Sequence, residues 1–449
     1  MKKIKYIVIM LALISIFTSM LSFSTFAQDE QGVMSTRQFE KACPKGLDFY
    51  SFERKQVFDN VFEYSIIFKV GNGEYDKIGI HRVVKEKAPY IPAKTENAVM
   101  MIHGDTANFT TTFLPESGEN APAKSLAAFL AGNNIDVWGI DLRWTFIPDD
   151  ETDFTFMKEW NTGLHLNDIE LSVKFARLLR SITNCGTSKI LMLGHSRGAY
   201  YSFAYANMET QKHEILKDIK GMIPLDLIIK LPAENEDLKE AAYTRYQSLK
   251  QKYESGIYYD DEGASMKYVA SMAKSAPDEM SALIPYLTNK QVGTLLLTAT
   301  YTTFEPPLKP FTPYYHLNAG TFDEQGLPTG FQFTNLEHLI DIALRTPSFQ
   351  SIGEILECEA IISEAVDLPY DDHLEEIEIP VFYVGAAGGE GKYGQHILSL
   401  LGSHDKESLI VELYPPECTM LDYGHTDLVW ADNAQSLVWK PILNWINEH

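Results

Sequence analysis

The sequence predicts an α/β protein: a mostly parallel, doubly wound central sheet flanked by helices and interrupted by a large helical insertion. Three observations predict it. Short buried apolar runs alternate with helix-like segments from residue 98 to 226 and again from 379 to the end, the rhythm of a parallel sheet. One of these runs, Lys189-Ile-Leu-Met-Leu-Gly194, passes through His195-Ser196-Arg197-Gly198 straight into the helix-like stretch Ala199–Ala206. Between residues 227 and 378 the alternation stops, and the chain becomes helix-leaning and rich in Tyr and Pro.

The elements follow in order. Met1-Lys2-Lys3-Ile4-Lys5 precedes an uncharged apolar stretch from Tyr6 to about Phe26, and Thr25 and Ala27 place small residues at −3 and −1 before Gln28. Residues 1–27 therefore read as a secretory signal peptide. The expected location is secreted or cell-envelope. An uncleaved anchor is the alternative, because the run is nearly long enough to span a bilayer; contact with a membrane is expected only in that case. Phe58 to Val70 and Lys77 to Val84 predict two antiparallel strands joined at Gly71-Asn72-Gly73. A buried third strand, Ala98–Ile102, ends in His103-Gly104-Asp105, and a helix is expected over Ala123–Ala131. A fourth strand covers Ile135–Ile140, a long amphipathic helix Asn167–Ile182, and the fifth strand is the run ending at Gly194. The sixth, Gly221–Asp226, closes the first part of the core, residues 28–226. The second part, residues 379–449, holds strands at Ile379–Val384 and Leu409–Leu413 and a last helix at about Ala434–Ile446.

Charge and cysteine content limit the function. The chain carries a formal net charge of −23, and loss of the lysine-bearing leader makes it more acidic still. Such a surface repels nucleic acid and anionic membranes. The four cysteines, Cys43, Cys185, Cys358 and Cys418, lack metal-ligand spacing and are too sparse for a disulfide scaffold, although one or two bridges stay open. No metal or cofactor is expected. The acidic stretches Asp149-Asp150-Glu151 and Tyr258–Gly263 lack an EF-hand ligand pattern and read as solvated loops. Asn108-Phe-Thr110 matches a glycosylation sequon by chance, since a sugar there would crowd the neighbouring loop.

Gly194-His195-Ser196-Arg197-Gly198 between strand and helix has the form of a nucleophile elbow. Glycines at both ends permit the tight turn, which strains the serine backbone and lifts its hydroxyl clear of the sheet. With this motif as anchor, the chain resembles the α/β-hydrolase superfamily over nearly everything beyond residue 27. His103-Gly104 after the third strand is similar to the family's oxyanion loop, and Asp141-Leu-Arg143 after the fourth to its Asp-x-Arg turn. Asp422-Tyr-Gly424-His425-Thr-Asp427-Leu428 resembles the histidine loop before the last helix. The resemblance implies that residues 227–378, inserted after the sixth strand, form a cap over the strands' carboxyl ends.

The roles follow the chemistry of acyl transfer. Ser196 is the expected nucleophile and His425 the base that takes its proton and returns it to the leaving group. Backbone N–H groups of Arg197 and Asp105 are the expected oxyanion donors, with the Asp105 carboxylate turned away. His103 reads as a buried hydrogen-bonding residue. The acid is open. In the usual family arrangement it lies three residues after a glycine that ends the seventh strand, but here Gly385 plus three is Gly388. Asp226, at the end of the sixth strand, is preferred, because a His partner would compensate a buried carboxylate there; Glu390 is the alternative. The aromatics Tyr258, Tyr314 and Tyr315 either line an acyl pocket or pack the insertion. The expected activity is hydrolysis of a small-molecule carboxylic ester through an acyl-enzyme. An acyltransferase on the same fold and a non-catalytic binding protein are the rival readings.

Overall fold

The computed structural model describes residues 49–183, 185–302 and 311–449. The expected leader, residues 1–27, and Cys43 lie outside the described residues. Nine strands build the main sheet: β1 (Phe49–Phe58), β2 (Val61–Lys69), β3 (Lys77–Ala88), β4 (Ala98–Ile102), β5 (Asp136–Asp141), β6 (Ile190–His195), β7 (Ile219–Leu225), β8 (Val381–Ala386) and β9 (Lys406–Val411). Their spatial order is β1-β2-β3-β5-β4-β6-β7-β8-β9, with the two residues Ile91–Pro92 pairing at the margin of β3. Pairs from β1 to β5 are antiparallel and all later pairs parallel.

The first strand departs from expectation. Periodicity predicts one strand over Phe58–Val70, but the chain turns at Asp59-Asn60, with Asp59 at φ 40°. An extra edge strand, β1, therefore precedes the expected hairpin, and the strand counted sixth in the sequence is β7.

The parallel strands are apolar on both faces because both are covered. Met100 and Ile102 of β4 join Trp138, Ile140 and Met192 in the core on one face, under α3 (Thr162–Ile182) and α4 (Arg197–Thr210). Val99 and Met101 join Val137, Leu191 and Ile223 on the other, under α2 (Leu126–Gly132) and α10 (Lys440–Glu448). The short helix α1 (Phe109–Phe113) lies in the loop after β4. Helix α3 begins earlier than Asn167 because the Asn161 side chain accepts the Leu164 N–H and caps it. Its buried residues, Leu166, Ile169, Val173 and Ala176, recur at helical spacing on one stripe.

The insertion leaves the sheet at the end of β7 and returns at β8. It contains α5 (Glu236–Glu254), α6 (Glu262–Ser275), α7 (Asn289–Thr298), α8 (Leu336–Ala343) and α9 (Gly353–Ile362). Two small antiparallel pairs, Gly320–Phe322 with Pro328–Phe331 and Tyr259–Asp260 with Gln350–Ser351, also lie in it. Cys185, Cys358 and Cys418 are free thiols. Among the described residues no helix is long and apolar enough to cross a membrane.

Candidate active site

Ser196 sits between the last residue of β6 and the first of α4 at φ 57° and ψ −128°. A non-glycine residue held there stores on the order of 1–3 kcal/mol of strain, so its surroundings must enforce it. The Ser196 N–H donates to the Leu225 carbonyl at 2.9 Å. A Cβ on Gly194 would stand 2.0 Å from the Gly198 carbonyl oxygen, and one on Gly198 would stand 2.0 Å from that of Ile102. Only glycines let strand, helix and neighbouring strand close this tightly. The Arg197 N–H belongs to the first turn of α4, where backbone donors lack intrahelical acceptors.

The loop after β4 passes directly over the serine. A Cβ on Gly104 would lie 2.7 Å from Ser196 Cβ and 3.2 Å from Ser196 Oγ. The next residue, Asp105, has its carboxylate held by the Arg197 guanidinium at 3.0 Å and by Gln350 Nε2 at 2.6 Å. Its charge is thus offset by a buried cation. His103 is fully buried, and its Nε2 accepts the Leu142 N–H at 3.3 Å.

Asp226 follows β7 at φ 50°, a second strained non-glycine position. Its fully buried carboxylate collects three donors: Ala386 N–H at 2.8 Å, Glu390 N–H at 3.1 Å and His425 Nδ1 at 2.6 Å. Such charge-assisted bonds compensate the cost of burying the acid. A carboxylate only accepts, so Nδ1 of His425 carries the proton and Nε2 keeps its lone pair. Burial works against a charged imidazole here, but the Asp226 bond and charge outweigh it and raise the His425 pKa above its ordinary value.

Glu390 is placed differently. Its side-chain Oε2 accepts the Ile228 N–H at 2.5 Å, and among the described residues no hydrogen bond joins its carboxyl to His425. Burial pushes its pKa up to about 8. Of the two candidate acids, the structure brings Asp226 to His425, while Glu390 contributes a backbone N–H to Asp226. Gly389 lets this loop close: a Cβ there would stand 2.1 Å from Asp226 Oδ2.

The histidine loop is held by residues that sequence patterns did not single out. His195 donates from Nε2 to the His425 carbonyl at 3.1 Å, and burial lowers its pKa to about 3, so it is a neutral positioning group. From the insertion, the His316 and Leu317 carbonyls accept the N–H groups of His425 and Thr426 at 3.0 and 2.8 Å. Buried Asp427 accepts from Gly424 N, Ala319 N and Asn318 Nδ2 at 2.8, 2.7 and 3.0 Å. The one available signal was Asp427 itself, an acid three residues beyond a loop glycine.

A candidate lipase from Sulfolobus solfataricus matches this structure with a TM-score of 0.58 at 17% identity, over 90% of this chain and 99% of that one. The fold is the α/β-hydrolase fold. A soluble variant of monoglyceride lipase from Saccharomyces cerevisiae, in complex with a substrate analogue, gives a TM-score of 0.39 at 15% identity over 90% and 97% of the two chains. A thermophilic esterase from Thermogutta terrifontis gives 0.39 at 13% identity over 86% and 98%. No family model and no curated protein sequence matches the chain.

In such an α/β sheet, ligands bind beyond the carboxyl ends of the strands. There a cavity of about 250 Å³ opens between the loops after β4, β7 and β8 and the insertion, with Ser196 and His425 in its wall. Of the insertion's aromatics, Phe311 and Tyr315 line it, the Tyr315 ring centroid 5.5 Å from that of His425. Tyr314 is solvent-exposed, and Tyr258 packs edge-on to Tyr253. The Asn108 side chain caps α1 by accepting the Thr111 N–H at 2.8 Å. Asp149 is paired with Lys267 and Ser348 rather than gathered with other acids. Among the described residues one trio, Asp405, Glu407 and His449, brings its ligand atoms within 4.8 Å. It is a surface group at the opposite end of the strands from Ser196, beside the start of β9.

Proposed function

We propose that this protein is a serine hydrolase that cleaves a small carboxylic ester by two-step acyl transfer. The observation that carries the reading is that strained Ser196 and buried His425 line one cavity, with His425 Nδ1 2.6 Å from buried Asp226. Asp226 holds the imidazole in the tautomer whose Nε2 takes the Ser196 proton, and it stabilises the imidazolium that results. Ser196 Oγ then adds to the ester carbonyl. The oxyanion meets the N–H groups of Arg197 and Asp105, fixed by the elbow and by the loop that Gly104 lets approach. The imidazolium returns its proton to the leaving alkoxide, and the same base activates water to release the acid. Esters suit the site better than amides because an alkoxide asks less of the general acid.

The leader, residues 1–27, directs the chain out of the cytoplasm in this reading, to secretion or the cell envelope. The test is turnover of short-chain p-nitrophenyl esters by wild type and Ser196→Ala. The substitution should reduce kcat by about 10⁴-fold or more. Retention of more than a hundredth of wild-type turnover contradicts the assignment.

A further inference from the structure

The cavity has two chemically different sides, and the sheet order gives each one half of an ester. β4 and β7 flank β6 on opposite sides, so the loops that follow them approach Ser196 from opposite directions. On the β4 side, past the Asp105–Arg197 pair and Glu262, the wall is formed by Thr111, Thr112, Leu339, Ile342 and Trp430, none of them ionisable. On the β7 side the aliphatic residues Leu227, Ile228 and Ile362 are joined by three ionisable ones, Glu390, Arg245 and Glu359. Arg245 on α5 faces Glu359 on α9, Nε to Oε1, at 3.2 Å. The second oxygen of Glu359, Oε2, is buried and has no hydrogen-bond partner among the described residues. An unpaired buried acceptor of this kind costs about 1–3 kcal/mol. A donor on a bound ligand would recover part of that cost.

Among the described residues Arg245 pairs with Glu359 on this side, and burial raises the Glu390 pKa to about 8. A cation meets the Arg245 guanidinium there, while a neutral donor gains a buried partner in Glu359 Oε2. The side is also fixed by chemistry: the leaving oxygen must lie where His425 can protonate it, and His425 is tied to Asp226 at the end of β7.

On the hydrolase reading above, we propose that the β4 side, past the Asp105–Arg197 pair, receives the acyl chain. The β7 side receives an alcohol that is neutral and carries further hydroxyls, one of which bonds Glu359. A polyol or sugar fits; a simple alkanol leaves Glu359 unpaired.

The experiment compares propyl, glyceryl and choline butanoates as substrates of the full-length protein. The glyceryl ester should show kcat/KM at least about tenfold above the propyl ester, the worth of one buried hydrogen bond, and above the choline ester. Arg245→Met combined with Glu359→Leu replaces both charges by apolar groups of similar size, an exchange that folds tolerate well. That variant should lose the preference for the glyceryl ester. Turnover without preference, preference for propyl or choline, or a preference that survives in the folded double variant overturns the inference alone. If the double variant does not fold, the three wild-type rates decide. No turnover of any ester, with Ser196 unreactive toward a fluorophosphonate, overturns the hydrolase reading and this inference with it.

Discussion

Asp226→Asn should stop turnover without unfolding the protein, and the geometry sets how far activity falls. Three donors converge on two carboxylate oxygens: Ala386 N–H on Oδ1 at 2.8 Å, with Glu390 N–H at 3.1 Å and His425 Nδ1 at 2.6 Å on Oδ2. An amide offers one oxygen. If its NH₂ takes the Oδ1 position, it meets the Ala386 donor. If it takes the Oδ2 position, His425 must accept at Nδ1, and the proton moves to Nε2, where none can then be taken from Ser196. The charge that stabilises the imidazolium is lost in both cases. A triad that loses its acid in this way falls by about 10⁴ in kcat, or about 5 kcal/mol at 1.36 kcal/mol per decade. Glu390→Gln is the matched control. Its amide oxygen can still accept the Ile228 N–H, and its backbone N–H to Asp226 is untouched, so kcat should fall less than about tenfold, the worth of one altered hydrogen bond. The assay is steady-state hydrolysis of a soluble ester normalised by active-site titration, with circular dichroism to verify folding. Equal losses in the two variants would refute the reasoning, as would Asp226→Asn retaining more than a hundredth of wild-type kcat.

Three further outcomes are expected. Because Asp226 raises the His425 pKa against the effect of burial, and only neutral His425 accepts the serine proton, kcat/KM should rise with pH through an apparent pKa above the ordinary 6.5. A midpoint at or below pH 6 contradicts the buried Asp226–His425 pair. Gly104→Ala places a Cβ 2.7 Å from Ser196 Cβ, so the loop carrying the Asp105 N–H must shift; kcat should fall about 10²–10³-fold, the loss seen when one oxyanion donor goes. Unchanged kcat in the folded variant counts against that loop as part of the oxyanion hole. Asp427→Ala leaves the Gly424, Ala319 and Asn318 donors without their acceptor and should cost about 3 kcal/mol or more of stability, measured by urea denaturation; a change under 1 kcal/mol speaks against Asp427 as the anchor of the histidine loop.

Much of the sheet was legible because its parallel strands are buried on both faces and so read as unbroken apolar runs, as Ala98–Ile102 does. The first hairpin was not, since Asp59-Asn60 interrupts Phe58–Val70 for only two residues and the alternation continues across it. The pairs at Tyr259–Asp260 and Gln350–Ser351 are too short to have a period. At the candidate site, Ser196 and His425 could be picked out because each sits in a local pattern with glycines nearby. The choice between Asp226 and Glu390 depends on which side chain reaches His425 across a fold that separates Asp226 from it by 199 residues in sequence. His195 acts through one bond to the histidine loop, and His316 and Asn318 through two each, all made across the fold. Bonds of that kind leave no spacing to read.

Ser196 as an activated nucleophile is the claim on which the rest depends, and covalent labelling tests it most directly. The folded protein, treated with a fluorophosphonate and digested, should yield one adduct by mass spectrometry, on the peptide that contains Ser196. Labelling should be lost in Ser196→Ala and slowed by orders of magnitude in His425→Ala. An unlabelled Ser196 in folded protein, or a rate that does not depend on His425, would contradict the account.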